Sequence, residues 1–194
     1  MAESIQYEIP TWNQIYEMLL AQAQKIQTSN FHPDIIIGIA RGGLIPSRIL
    51  ADLLETHGFS LISIEYYVGI GKTSQEPVLK QCLTKNLTGK KVLLVDDVSD
   101  CGKSLQLAKK HLQTQGASEI KVATIYSKPG TITKPDYFEK ETSRWIVFPW
   151  ECRETMRKIL QSSDGKRVTS QEVAKLMRAG FPKQLTEKFL KEMT

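Results

Sequence analysis

Short, nearly continuous apolar runs alternate along this chain with stretches whose apolar residues recur at helical spacing. Asp34-Ile35-Ile36-Ile37-Gly38-Ile39-Ala40, Leu61–Val68, Val92–Asp96 and Ile120–Tyr126 are runs of the first kind, and Trp145-Ile146-Val147-Phe148 predicts a further strand. A short apolar run without alternation suits a strand buried on both faces, as in a parallel sheet. Between these runs, Thr11 with Gln14 resembles a capping box ahead of Ile15, Met18, Leu19 and Ile26. Pro46 opens a helical stripe of Ile49, Leu50, Leu53 and Leu54, and Leu105, Leu107, Ala108 and Leu112 form another that ends near Gly116. Residues 69–79, with Gly69, Gly71, Ser74 and Pro77, have no apolar period and are predicted as a loop. Strands alternating with helices predict an α/β fold built on a parallel sheet with right-handed crossovers. Ligands of such sheets bind at the carboxyl ends of the strands, here Arg41-Gly42-Gly43, Asp96-Asp97 and Lys128-Pro129-Gly130.

Past the last run the pattern changes. Thr169 with Glu172 makes a second capping-box pattern before Val173, Leu176 and Met177. Gly180 and Pro182 then punctuate, and Leu185, Phe189 and Leu190 give another stripe. The expected organisation is one domain over residues 1–160 and a helical extension over 161–194. The net charge of +5 belongs to the end of the chain: residues 152–194 hold 10 Lys/Arg against 5 Asp/Glu, which leaves 16 of each before them. Such a surplus is either a solvated helical face or a surface for nucleic acid or an acidic partner.

Composition narrows the classes further. At 194 residues, 41% hydrophobic and 24% charged, the chain suits a globular protein with a real core. No apolar run reaches the ~18 residues that span a bilayer, and Met1-Ala2-Glu3-Ser4 does not begin a secretory signal. Cys82, Cys101 and Cys152 are odd in number and contain no Cys-x-x-Cys pair, which argues against a disulfide framework and a zinc site and fits a reducing cytoplasm.

The chemistry concentrates in Val92-Leu93-Leu94-Val95-Asp96-Asp97-Val98-Ser99-Asp100-Cys101-Gly102-Lys103-Ser104-Leu105. A buried strand delivers two adjacent carboxylates to its exposed end, and a tight loop with Gly102 runs into a helix. That loop aims backbone N–H groups outward at the positive end of the helix dipole, which makes a phosphate site. Carboxylates beside a phosphate repel it unless they serve ribose hydroxyls or a magnesium ion. A phosphorylated ribose carrying pyrophosphate needs all of these together.

The segment resembles the phosphoribosyl pyrophosphate (PRPP) signature of type I phosphoribosyltransferases. The resemblance implies a Rossmann-like parallel sheet flanked by helices, with a small hood, and covers approximately residues 34–155. By that match Asp96 and Asp97 accept hydrogen bonds from the ribose hydroxyls or orient Mg2+, directly or through water. Asp100 is the candidate general base at purine N7, and Ser99, Asp100, Cys101, Gly102, Lys103 and Ser104 belong to the 5′-phosphate cradle. Cys101 stands where the family usually has Thr, a weaker donor in place of a hydroxyl. Ala40-Arg41-Gly42-Gly43 is similar to the pyrophosphate loop of the same family, which carries a non-proline cis peptide at Ala40–Arg41. Lys72, Thr73 and Ser74 would lie on the lid.

Tyr126-Ser127-Lys128-Pro129 and Trp145-Ile146-Val147-Phe148-Pro149-Trp150-Glu151 resemble the xanthine-guanine group of that family. The match makes Lys128 a donor to purine O6, Trp145 a stacking partner and Ile146 a backbone contact to the base edge. Glu151, in place of the usual Asp, would approach the 2-position or the metal site. Lysine offers only donors, so an oxo group is preferred over an amino group at position 6. The implied activity is Mg2+-dependent transfer of ribose-5-phosphate from PRPP to hypoxanthine, guanine or xanthine, in purine salvage, by a cytoplasmic homodimer or homotetramer.

Other readings fare worse. Gly102-Lys103-Ser104 and Gly71-Lys72-Thr73 end like a Walker A loop, but Asp97 and Tyr66 occupy the positions of its first glycine. A PRPP-sensing regulator of the same fold, binding nucleic acid through the basic tail, is the alternative from another class. An orotate-type enzyme would leave Lys128 and Trp145 without a use.

Overall fold

The computed structural model describes residues 6–68, 75–161 and 170–193. In chain order these form β1 (Tyr7–Glu8), α1 (Trp12–Thr28), β2 (Ile35–Ala40), α2 (Leu44–Leu53), β3 (Phe59–Val68), β4 (Gln75–Gln81) and β5 (Lys91–Ser99). They continue through α3 (Lys103–Thr114), β6 (Glu119–Ser127), β7 (Lys140–Glu141), β8 (Trp145–Ile146), α4 (Cys152–Gln161), α5 (Ser170–Arg178) and α6 (Lys183–Met193). The capping box at Thr11 closes in both directions: its N–H donates to Gln14 Oε1 at 2.8 Å, and the Gln14 N–H donates to Thr11 Oγ1 at 3.2 Å. The chain divides into two units, Tyr16–Thr142 and Met1–Ile15 with Ser143–Thr194.

The larger unit is built on a six-stranded sheet in the order β4-β3-β2-β5-β6-β7. Every pairing in it is parallel except β3 with β4. All of β2 is buried but Ala40, which accounts for its lack of alternation. Ile35, Ile37 and Ile39 join Ile62, Val92 and Leu94 in a buried cluster closed by Leu105, Ala108 and Leu112 of α3. Because β2, β5 and β6 are neighbours and parallel, their carboxyl ends open along one edge of the sheet. Arg41, Asp100 and Lys128 are the residues that leave it.

Several sequence expectations are corrected. The run 145–148 is not a strand of the main sheet: only Trp145–Ile146 is extended, and it pairs with β1 in a separate two-stranded parallel sheet. Val147 and Phe148 are buried by packing, which a four-residue apolar run does not distinguish from a ladder. Within the expected loop over 69–79, residues 75–79 begin β4 instead. This strand escapes a periodicity test because it lies at the sheet edge, where Pro77 is tolerated and half the side chains face water. β5 does not stop at Asp96 but runs to Ser99, so the acidic pair lies within it. The apolar pattern does not announce α4; among its described side chains Cys152, Thr155 and Met156 are buried.

The smaller unit has its own apolar cluster of Tyr7, Val147, Cys152 and Met156 with Leu176, Phe181 and Phe189. Helices α5 and α6, the two expected in the tail, thus share a core with β1 and α4, and Arg153 pairs with Glu192 at 2.8 Å. Thr169, the expected cap of α5, lies outside the described residues. Among the described residues no helix is long and apolar enough to cross a membrane.

Gln22 of α1 is fully buried and donates through Nε2 to Thr124 O at 2.8 Å and Tyr137 O at 3.3 Å. It bridges the seam where Tyr137 joins β6. Gln22→Ala is expected to lower stability by about 1–3 kcal/mol in urea melts, since buried carbonyls lose a donor. Arg48→Ala, which breaks an exposed pair with Asp52 at 3.8 Å, should stay within about 0.5 kcal/mol.

Candidate active site

The turn after β2 and the acidic pair of β5 pack directly on one another. A side chain at Gly42 would strike the Asp97 carboxylate, and one at Gly43 would strike Val95 O and the Ile39 backbone. Both glycines are therefore required by close approach, whatever they bind. A cis peptide joins Ala40 to Arg41, as the resemblance implied. Arg41, the first residue of the turn, is exposed.

Asp96 and Asp97 are successive residues of β5, and both carboxylates lie against the turn: the Gly43 N–H reaches Asp96, and Asp97 lies where a Gly42 side chain would be. Asp97 is nearly buried. Burial, followed by the neighbouring Asp97 carboxylate, pushes Asp96 well above the usual carboxylate range, and backbone N–H groups of Asp97 and Gly43 offset this only in part. The Asp97 N–H donates to Asp96 Oδ1 at 3.0 Å. Among the described residues no group of three or more His, Cys, Asp or Glu gathers around a metal position. The donor set fits a cation that takes its remaining ligands from water and substrate oxygens, as magnesium does, and not a closed protein cage.

From Asp100 the chain turns outward. Asp100 and Cys101 are exposed, and Gly102 adopts φ +83° at the N-cap of α3 with no side-chain cap. The first amides of a helix lack intrahelical acceptors, so this terminus presents N–H groups and the positive dipole end beside Lys103 and Ser104. A side chain at Gly102 would collide with Thr131 Oγ1 and the Thr133 N–H as well as requiring a left-handed backbone.

Thr131 and Thr133 belong to a brace that sequence reading did not find. Ser99, expected in the phosphate cradle, is buried; its hydroxyl lies 2.8 Å from Thr131 Oγ1 and donates to Thr133 O at 2.8 Å. The Ile132 N–H donates to Cys101 O at 3.1 Å, and the Lys128 N–H donates to Ser99 O at 2.9 Å. Segment 128–133 is thus stapled to segment 99–102, and half-buried Lys128 is set at a fixed offset from the loop into α3. Only the Thr-x-Thr after Lys-Pro-Gly marked this in the sequence, and it has no meaning without the register of β5 and β6.

Tyr66 of β3 is the second residue missed. Its hydroxyl accepts from Ser104 Oγ and lies beside Cys101 Sγ, both at 3.2 Å. Burial is the chief cause that raises the Tyr66 phenol above its ordinary value, with the Cys101 hydrogen bond next, so it remains a neutral hydroxyl. On the following strand Glu76 pairs with Lys103 at 3.3 Å.

One unit therefore gathers Arg41, Gly42, Gly43, Asp96, Asp97, Ser99 to Ser104 and Lys128. Trp145, Ile146 and Glu151 belong to the other. There Trp145 is half exposed, Ile146 is buried, and Glu151 Oε1 accepts from the Phe148 N–H at 3.3 Å. Trp150 stacks on Phe148 with ring centroids 4.8 Å apart. Lys72, Thr73 and Ser74 lie outside the described residues.

Comparison with known proteins identifies the family. A family model described as "Phosphoribosyl transferase domain" matches residues 9–156. A xanthine-guanine phosphoribosyltransferase of Nitratidesulfovibrio vulgaris is 34% identical over 143 residues, 73% of this chain and 82% of that protein. Xanthine phosphoribosyltransferase 1 of Saccharomyces cerevisiae is 29% identical, over 79% of this chain and 93% of the relative. Among solved structures, a purine phosphoribosyltransferase from Pyrococcus horikoshii superposes with a TM-score of 0.69 at 38% identity, covering 75% of this chain and 94% of the other.

Two outcomes test the geometry. Gly42→Ala is expected to destabilise the chain by about 1–3 kcal/mol or more in thermal melts, because its Cβ displaces the Asp97 carboxylate. Asp96→Asn should do the opposite. With its folded pKa raised above the unfolded value, wild-type Asp96 binds more protons folded than unfolded, so its contribution to stability improves as pH falls through the folded value. In differential scanning at about pH 8 the Asn variant should therefore melt higher, and its advantage should close as pH falls towards ~4, the ordinary carboxylate range.

Proposed function

This chain belongs to the phosphoribosyl transferase family, and from that premise we propose that it transfers ribose-5-phosphate from PRPP to a 6-oxopurine base, releasing pyrophosphate, in purine salvage. The observation that carries the reading is the convergence, at the ends of three neighbouring parallel strands, of a glycine turn led by Arg41, an acidic pair, an uncapped helix N-terminus and Lys128. The names of the relatives point to the same substrate class.

The roles follow from charge and position. The turn 41–43 receives pyrophosphate: glycine backbone comes close to the anion, and Arg41 pairs with its oxygens. Residues 100–104 hold the 5′-phosphate at the N-terminus of α3, where amides and dipole favour a dianion. Between them Asp96 and Asp97 face the sugar, fix its hydroxyls and favour the positive charge that develops at the anomeric carbon as the bond to pyrophosphate breaks. Purine N9 attacks the opposite face of that carbon, and Asp100 takes the proton at N7. Asp96 and Asp97 are also the residues that would hold magnesium, which when bound would shield the charge of the departing pyrophosphate.

Lys128 selects the base. Its ammonium has only donors, so an oxo group at position 6 accepts from it where an amino group would face donor with donor. The resemblance implies base contacts for Trp145, Ile146 and Glu151.

A spectrophotometric turnover assay with PRPP, magnesium and each of hypoxanthine, guanine, xanthine, adenine and orotate tests the reading. Oxopurines should turn over and adenine and orotate should not, and Asp100→Asn should lose about 10²–10⁴-fold in rate. PRPP binding with no turnover of any base would overturn the salvage reading in favour of a PRPP-sensing regulator. In the same assay Lys128→Ala should lower kcat/KM for the preferred oxopurine by about 5- to 100-fold while PRPP binding persists.

A further inference from the structure

We propose that the Tyr66 hydroxyl is a built-in placeholder for the 5′-phosphate, a positioning residue that holds the side-chain donors of the phosphate loop in the free protein and gives way to the ligand. The inference rests on the reading of residues 100–104 as the phosphate subsite. Two side chains of that loop carry hydrogens to offer beyond its amides and Lys103: the Ser104 hydroxyl and the Cys101 thiol. Both meet the same oxygen. Ser104 Oγ donates to Tyr66 Oη at 3.2 Å, and Cys101 Sγ lies 3.2 Å from it.

An oxygen that accepts from Ser104 while touching Cys101 occupies the place a phosphate oxygen would take between the same two donors. Two observations support a standing arrangement over a passing contact, and a third leaves the residue able to withdraw. Tyr66 is fixed in a ladder, opposite Pro77 of β4. The same hairpin brings Glu76 to Lys103 at 3.3 Å, so a third side chain of the loop is also met from this side. The ring is 43% exposed, so no core packing forbids its withdrawal.

The exchange has a direction. Ser104 gives up a neutral phenol oxygen for a dianion, and charge-assisted hydrogen bonds are the stronger kind. Phosphate therefore wins, but against an internal competitor. Cys101 in place of the family's usual Thr suits this arrangement, because a thiol is a weak partner and releases the phenol readily.

Tyr66→Phe removes the competing oxygen and keeps the ring. By isothermal calorimetry on the full chain, its Kd for ribose 5-phosphate should fall about threefold to tenfold relative to wild type, the worth of the neutral hydrogen bonds displaced. Its Kd for inorganic pyrophosphate, expected at the turn 41–43, should stay unchanged. A merely structural role of Tyr66 would move both constants together, and that result overturns the proposal. So does an unchanged or weaker constant for ribose 5-phosphate; a weaker one would make Tyr66 a direct ligand. If the wild-type chain binds no ribose 5-phosphate, the reading of the loop itself is overturned and the placeholder with it. Wild-type binding with no tightening in the variant overturns the placeholder alone.

Discussion

The Asp97 carboxylate lies where a side chain on Gly42 would have to be, and much of the site follows from that close approach. The turn after β2 comes this near because β2 and β5 are parallel neighbours, with Gly38 opposite Val95, so that both strands deliver their ends to the same place. The next glycine has backbone on two sides, Val95 O and the Ile39 peptide. Chemistry is then set by what the backbone allows. The turn proposed to receive pyrophosphate and an acidic pair, which would attract and repel the same anion, are held in contact, and a substrate with both phosphate and hydroxyl groups would reconcile them. Burial first, and the adjacent Asp97 carboxylate second, raise the proton affinity of Asp96, while the Gly43 N–H of the turn acts against both.

The second constraint is the staple between segments 99–102 and 128–133. Ser99 and Ser127 are opposite one another in β5 and β6, and the ladder continues past both strands through the Lys128 N–H to Ser99 O. The buried Ser99 hydroxyl then ties down Thr131 and Thr133. The lysine proposed to read the base and the loop proposed to hold the phosphate thus form one rigid piece. Buried, satisfied hydroxyl contacts of this kind fix geometry more than they add stability.

Much of this was legible in the sequence. The apolar runs at β2, β3, β5 and β6 are long enough, and buried enough, for their pattern to carry the fold. The acidic pair, the glycine turn and the loop into α3 stood out because each needs residue types that few other contexts require. What was not legible depends on contacts between distant segments. Thr131 and Thr133 are ordinary turn residues until Ser99 meets them, and Tyr66 is one of several strand aromatics until Ser104 and Cys101 reach it. The run 145–148 misled because four apolar residues bury equally well in a ladder or in a cluster. β4 leaves little trace in the pattern because an edge strand alternates weakly and tolerates proline.

The two margins of the six-stranded sheet carry a consequence for the chain in company. One margin is β4, interrupted by Pro77, which has no N–H to lend to a neighbour, and bearing Glu76 and Lys80. The other is β7, two residues long and exposed. Neither offers a second molecule a long row of free donors and acceptors on which to lay another strand. Intermolecular strand addition, the ordinary route from an open sheet to fibrils, is therefore obstructed at both sides, although the strands between them are among the most apolar segments of the chain.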